Sequence, residues 1–371
     1  MTPQIIAARR TAVIPQGGAF RRLRIEDLAA PVVQAVLSDA GLAPAEVDEL
    51  ICANALGAGG NPARRIALAA GLPERVAGLS IDRQCAGGLD AIALAAALVA
   101  SGRARAVLAG GAESHSLRPL RAMPDPEGGP PAPYEQAPFT PWPGRDPDMA
   151  EAAAALAQRL GISRAEADAY AVESHRRAAA ADFRAEIVPV AGQLRDAFTR
   201  ALTPALAGRA KVLTGPVTAA NTAVAADAAA FVLVVAEDLA RGRGLRIAGC
   251  STLGADPLQP GLAPVAAIAA ALAQTGLTPA DLRQAEVMEA YAVQAIACID
   301  GAGLARQIVN PKGGALARGH PIGASGAVLA VRLFHDLQAG HGLAAIASAG
   351  GIGAAIVLAA GQPPAAGPAT P

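Results

Sequence analysis

The chain has 371 residues, long enough for about two domains, and carries 31 Lys and Arg against 31 Asp and Glu, so it has no net charge. An apolar fraction of 53% with only 17% charged residues excludes a disordered chain, and the lack of a basic excess argues against nucleic acid as a partner. The longest uncharged apolar stretches, such as 91–100, fall short of the roughly 20 residues a membrane span needs. The start, MTPQIIAARR, lacks the basic-then-apolar pattern of an export signal, so the expected location is the cytoplasm.

Apolar runs of strand length alternate with longer helical patterns, the mark of an α/β layered fold. In chain order, Pro44 behind Ala43 marks a helix start with an acidic residue close behind, 91–101 reads as a helix, and 105–109 as a buried strand. Residues 118–149 then hold ten of the 29 prolines together with Tyr134, Phe139 and the only tryptophan, Trp142. That composition predicts an ordered excursion or lid rather than regular core structure. Residues 150–181 are helical in pattern with an exposed charged face, a sheet pattern resumes near Val217, and 231–236 is another strand. Pro279 behind Thr278 repeats the first helix start, 327–337 reads as a helix, 343–347 as a strand and 359–371 as a disordered tail. Forty glycines with 3% aromatics require close packing through small side chains.

The two proline-marked starts belong to a longer echo. Gly41-Leu42-Ala43-Pro44-Ala45-Glu46-Val47 returns as Gly276-Leu277-Thr278-Pro279-Ala280-Asp281-Leu282, 235 residues later. A short match in an alanine-rich chain can arise by chance. The same offset, however, carries Cys85 onto His320, and each of these opens a small-residue segment that leads into an apolar helix. If the halves pack about a pseudo-twofold axis, those two helix starts face each other. A cysteine at a helix N-terminus gains thiolate character, with its pKa lowered from about 8.5, and an adjacent imidazole completes an activated nucleophile. The alternative for any free cysteine is an inert core residue. Cys52 and Cys250 sit in apolar strand-like settings and Cys298 in an apolar helix, so they take that reading, and His175, His335 and His341 read as surface or core histidines. The four cysteines are too scattered for a disulfide framework or a zinc site, and no metal cluster is expected. Gly350-Gly351-Ile352-Gly353 has no acidic residue about 20 positions on, so no dinucleotide and no other cofactor is expected.

Residues 82–114 (DRQCAGGLDAIALAAALVASGRARAVLAGGAES) resemble the nucleophile region of thiolases. Asn61-Pro62-Ala63-Arg64 is similar to the family's N-P-A-R segment, Val217-Thr218-Ala219-Ala220-Asn221 to its V-T-A-x-N, and 313–327 (GGALARGHPIGASGA) to its histidine motif. The similarity runs in order from Arg9-Arg10-Thr11 to Gly353. It implies a thiolase-like fold of two pseudo-symmetric layered α/β halves (αβαβα) with an inserted loop domain. The N-terminal half would comprise 1–117 and 217–240, the inserted loop or lid 118–216, and the C-terminal half 241–358. It also implies that Cys85 takes an acyl group from a thioester, that His320 activates it, and that the backbone N–H groups of Cys85 and Ala349 hold the oxyanion.

The chain departs from the family at three places. Met288-Glu289-Ala290-Tyr291 stands for N-E-A-F, so the asparagine that anchors a water in one oxyanion hole becomes a thioether at Met288. In 342–355 (GLAAIASAGGIGAA), Ala347 occupies the place of the second cysteine, which exchanges the substrate α-proton, and alanine is neither acid nor base. Ser348 is adjacent, but one step along a strand points to the opposite face. Asn221-Thr222-Ala223-Val224 stands for N-x-S-G, replacing by Ala223 a serine expected near the pantetheine arm. His115 lies where the family often carries methionine and is a possible surrogate base, against a structural or surface role. The resulting expectation is acyl transfer from an acyl-CoA, or a carrier-bound or smaller thioester, through Cys85 to a carbon nucleophile, in a homodimer or homotetramer. The alternatives are transfer to water, oxygen or nitrogen, and a non-catalytic acyl-CoA-binding paralogue.

Overall fold

Strand β1 (Pro3–Arg10), helix α1 (Ile25–Ala40), β2 (Glu49–Ala53), α2 (Pro62–Ala69), β3 (Leu79–Ile81), α3 (Gly87–Ala100) and β4 (Ala106–Glu113) open the computed structural model, which describes residues 1–361. An insertion with α4 (Met149–Leu160) and α5 (Arg164–Ala180) precedes β5 (Ala226–Ala236). The second half follows as β6 (Leu245–Gly254), α6 (Ala263–Ala273), β7 (Leu282–Val287), α7 (Ala292–Gly301), α8 (Ile322–Asp336), β8 (Gly340–Ser348) and β9 (Ile352–Ala360).

A ten-stranded sheet runs β7-β8-β9-β6-β1-β5-β4-β2-β3, with Ile14–Pro15 paired to the start of β5. The halves meet where β1 pairs with β6 through Gln4–Arg246 and Ile5–Leu245. Each half repeats one order, β1-β5-β4-β2 against β6-β9-β8-β7, with the last pair parallel in both. β3 adds a parallel edge beside β2, whereas the corresponding edge beside β7 is a single bridge from Ala285 to Val309.

Five layers result. α1 and α2 cover one outer face, where Val33, Val36 and Ile66 pack on Leu108 and Phe231. α6 and α7 cover the other, where Ile268 and Ile299 pack on Val287 and Val357. α3 and α8 lie between, Ile92 and Val328 filling the space between Val232 on one side and Ile356 on the other. This is the αβαβα arrangement, with the strands joined into one sheet. β4 and β5 are buried at every position, so apart from Glu113 and Asp227 at their ends their sequences are apolar runs instead of alternating ones.

The expected elements exist but differ in extent. The strand expected at 105–109 continues to Glu113, and the one at 231–236 begins at Ala226, because glycine and alanine carry little strand signal. Gly110 cannot be larger, since a Cβ there would lie 2.0 Å from the Ala230 carbonyl oxygen. Both central helices begin earlier than expected, at Gly87 and Ile322, in glycine-rich first turns. A Cβ on Gly88 would lie 2.4 Å from Ala327 N, and one on Gly326 would lie 2.5 Å from Leu89 N, so α3 and α8 touch backbone to backbone. The Pro44 and Pro279 starts are single 3-10 turns, not α-helices. Glu46 accepts from Ala43 N and Asp281 from Thr278 N, each at 2.8 Å, and the chain passes almost at once into β2 or β7.

In the insertion, 118–149 forms a small exposed hairpin, Ala122–Met123 with Ala132–Pro133, and Trp142 is exposed. The helix expected over 150–181 is divided into α4 and α5 by Gly161 at φ +70°, and Ser163 Oγ caps α5 by accepting from Glu166 N. Arg10 ties the insertion to β1 by donating to Glu186 (2.8 Å) and Asp196 (2.7 Å), and Arg332 of α8 also pairs with Glu186. These charges are buried together, so removing one partner would leave another uncompensated. The tail expected from 359 starts two residues too early, since β9 runs to Ala360, and its remainder beyond Gly361 lies outside the described residues. No helix among the described residues is long and apolar enough to cross a membrane.

Candidate active site

Cys85 stands where β3 gives way to α3. Asp82 Oδ1 accepts from Gln84 N at 2.8 Å, and Gln84 is held at φ +48°, a left-handed conformation that a non-glycine residue adopts at a cost. The bend turns the thiol into a cavity of about 360 Å³. His320 reaches the same cavity from the second half. Its N–H donates to Val224 O at 2.7 Å, Gly319 at φ +114° sets its approach, and α8 begins two residues later. Cys85 Sγ and His320 Nε2 are 3.1 Å apart.

The tautomer of His320 follows from its other contacts. Ser325 Oγ lies 3.0 Å from Pro321 O and 2.6 Å from His320 Nδ1. A carbonyl only accepts, so the hydroxyl hydrogen goes to Pro321 and Nδ1–H donates to Ser325. Nε2 is left with a free lone pair facing the thiol. Burial pushes the Cys85 thiol up to about 12, opposed by the Cys85 and Ala349 N–H groups and the Ser348 hydroxyl, while the Glu113 charge adds to the rise. Burial pulls His320 down to about 4, with His115 contributing. Desolvation therefore overrides the lowering expected from the helix N-terminus, and the resting pair is a neutral thiol beside a neutral imidazole.

Glu113, at the end of β4, joins the two halves beneath this pair. Its carboxylate accepts from Asn54 Nδ2 (2.7 Å), Ala55 N (3.0 Å) and Gly323 N (2.9 Å) in the first turn of α8. Burial raises its pKa to about 7 in spite of those donors. His115 also lines the cavity. Arg118 Nη1 lies 2.6 Å from its Nδ1, and a guanidinium only donates, so Nε2 carries the hydrogen and His115 presents an N–H donor instead of a free base. Burial, with Arg118 adding, keeps its pKa below the ordinary imidazole value.

Ala347, Ser348 and Ala349 all line the cavity. The expectation that Ser348 points away is overturned: at the last residue of β8 its hydroxyl donates to Arg83 O (3.1 Å) beside the thiol. Met288 is buried in the central core and Ala223 donates its N–H to Ala290 O (2.9 Å), and neither lines the cavity. Cys52, Cys250 and Cys298 also lie away from it, each with its pKa raised by burial. Arg118, Arg121, Glu135 and Phe139 from the proline-rich excursion form part of the wall. Ser325, Glu113 and Gln294 were not singled out from sequence. The first two lie inside the motif strings around His320 and Cys85, which was the available signal, whereas Gln294 had none.

The family models described as "Thiolase, N-terminal domain" and "Thiolase, C-terminal domain" match residues 4–238 and 244–360. The chain belongs to the thiolase family. As a thiolase it is an acyltransferase enzyme. Among thiolase relatives, it is 40% identical over 381 residues to "Putative acetyl-CoA C-acetyltransferase YhfS" of Bacillus subtilis, covering 96% of this chain and 99% of that protein. It is 36% identical over 374 residues to "Putative acetyl-CoA C-acetyltransferase VraB" of Staphylococcus epidermidis, covering 96% and 98%. The thiolase fold superposes on the crystal structure of the Bacillus anthracis acetyl-CoA acetyltransferase with a TM-score of 0.90 at 32% identity, covering 97% of this chain and 98% of that one. The human mitochondrial 3-ketoacyl-CoA thiolase, solved in complex with CoA, gives a TM-score of 0.87 at 29% identity and the same coverage.

Proposed function

We propose that this thiolase takes an acyl group from an acyl-CoA onto Cys85 and passes it to a carbon nucleophile. The observation that carries the reading is the 3.1 Å approach of Cys85 Sγ to the unprotonated Nε2 of His320 at the wall of a cavity. Sγ attacks the thioester carbonyl carbon as its proton moves to Nε2, so the thiolate forms only while the bond forms. The carbonyl oxygen gathers charge at the N–H groups of Cys85 and Ala349, the two backbone donors that also face the sulfur. The C–S bond to CoA then breaks, and His320 returns the proton to the departing thiolate. The printed names of the relatives, acetyl-CoA C-acetyltransferase and a 3-ketoacyl-CoA thiolase bound to CoA, support the same substrate class.

Ala347 has no proton to exchange, so the acceptor carbon arrives activated, as in an electron-rich ring or a β-keto acid that loses CO₂. Intact-mass measurement after incubation with a panel of acyl-CoAs tests the first half-reaction. Wild type gains the acyl mass and Cys85→Ala gains none; an unmodified wild type across the panel would sink the reading. The missing proton carrier at Ala347 also favours a second reading, in which the acyl-enzyme transfers to water, oxygen or nitrogen. Product analysis after acylated wild type is mixed with an activated carbon acceptor separates the two: a new carbon–carbon bond supports the first reading, and free acid, ester or amide alone supports the second.

A further inference from the structure

The cavity has two unlike linings. Met149, Ala152, Ala153 and Leu156 of α4 supply an apolar one. His115, Arg118, Glu135 and Arg121 supply a polar one, joined into a single hydrogen-bonded chain. Arg118 Nη1 meets His115 Nδ1 at 2.6 Å, Arg118 Nη2 pairs with the Glu135 carboxylate, and Arg121 Nη2 donates to the Glu135 carbonyl oxygen. His115 is the end of this chain whose charge reaches His320, and Arg121 is the other end.

The two arginines differ. Arg118 has its counter-ion in Glu135. Arg121 is half-buried at the base of the small hairpin, where its carbonyl oxygen accepts from Tyr134 N at 3.0 Å and its guanidinium lies over the Tyr134 ring, 5.3 Å from the centroid. Among the described residues it forms no ion pair, and its Nε and Nη1 have no hydrogen-bond partner. Glu135 is the one acid among the described residues that lines the cavity, against two guanidinium groups. With His115 and His320 both neutral, the lining therefore keeps one uncompensated positive charge. A planar guanidinium with free donors matches a carboxylate in both charge and shape. We propose that Arg121 binds a carboxylate at the far end of the acyl group, so that the preferred donor is the monothioester of a dicarboxylic acid. The inference rests on the acyl-Cys85 reading for the direction of the chain: the thioester carbonyl lies at Cys85, methylene groups run along the apolar lining of α4, and the terminal carboxylate meets Arg121. CoA brings phosphates of its own, but these are common to every acyl-CoA and give no preference between acyl groups.

Rates of Cys85-dependent acylation, read by intact mass, compare glutaryl-, adipyl- and pimeloyl-CoA with pentanoyl-, hexanoyl- and heptanoyl-CoA, each pair having the same carbon number. On wild type the best carboxylated donor reacts about tenfold faster than its partner, and Arg121→Gln brings that ratio to about one. A ratio near one in every wild-type pair overturns the proposal, and so does a preference that survives Arg121→Gln. An equal fall for both members of a pair, the mark of a guanidinium that serves the CoA phosphates, overturns it as well. A second measurement needs neither a reaction nor a change at Arg121. Calorimetric binding to Cys85→Ala shows the carboxylated thioester held about tenfold more tightly than its partner, and equal affinities overturn the proposal. Absence of any adduct on wild type with this binding preference intact removes the acyl-Cys85 reading alone, whereas adducts formed without preference remove the carboxylate site alone.

Discussion

The starts of α3 and α8 occupy equivalent places in the two halves, yet they are used in opposite ways. At α3 the chain bends through left-handed Gln84, and the N–H of Cys85 faces its own sulfur beside that of Ala349. At α8 the N–H of Gly323 is already occupied by the carboxylate of Glu113, and the imidazole ahead of the helix is locked by Ser325. One helix start leaves its donors facing the sulfur; the other gives an N–H to a carboxylate and holds an imidazole through a side chain. A repeated fold therefore supplies two converging helix ends, and the side chains that fill them decide which keeps its backbone donors unoccupied.

Changes at the α8 start test this division most severely. His320→Asn removes the proton acceptor and lowers the rate of Cys85 acylation by about 10²–10⁴-fold, measured by intact mass under single-turnover conditions. Ser325→Ala frees Nδ1 and lets the ring populate the other tautomer, so the fall is smaller, on the order of tenfold, and Ser325→Thr restores the rate. A loss as large as that of His320→Asn would show that Ser325 supports the helix rather than the tautomer.

The shared crossing of the two helices predicts a symmetric effect on stability. Gly88→Ala and Gly326→Ala each press a methyl group into backbone of the opposite helix, and each destabilises by about 1–3 kcal/mol in chemical denaturation. Gly144→Ala, with nothing within 4 Å of the added carbon, changes stability by less than about 0.5 kcal/mol. Loss at one of the two crossing positions alone would break the symmetry.

The smallest expected effect is that of pH. An isolated thiol with a pKa near 8.5 alkylates about tenfold more slowly for each unit below it. Here burial raises the thiol to about 12 and lowers His320 to about 4, so the neutral pair is the dominant state throughout the interval between them. Iodoacetamide alkylation of Cys85 is accordingly flat from pH 5 to pH 9, and slows only as acid protonates the imidazole near pH 4. A tenfold rise per unit toward pH 8.5 would show a conventional thiol.

The equivalence of Cys85 and His320 was legible because duplication preserves spacing: one offset, read from a seven-residue echo, pairs them before any coordinates exist. The proline-rich excursion was legible because proline lacks the N–H that helices and sheets require. Strand ends at Glu113 and Ala226 were not, because the residues that extend them are glycine and alanine, whose place is decided by how closely a neighbouring backbone approaches. The two proline-marked starts read as helices because local capping is the same for one turn as for four; only the strand that follows so closely cuts them short.

The sequence by itself determined the α/β alternation, the duplication, the pairing of Cys85 with His320, and the absence of a titratable group at Ala347. Tertiary structure alone decided that the thiol rests neutral, that Ser348 joins the cavity wall, that His115 is turned into a donor by Arg118, and that Arg121 lines the cavity with no counter-ion among the described residues. The division has one physical reason. Residue type and spacing are local properties, whereas desolvation and hydrogen-bond satisfaction are set by whichever distant groups the fold packs around an atom.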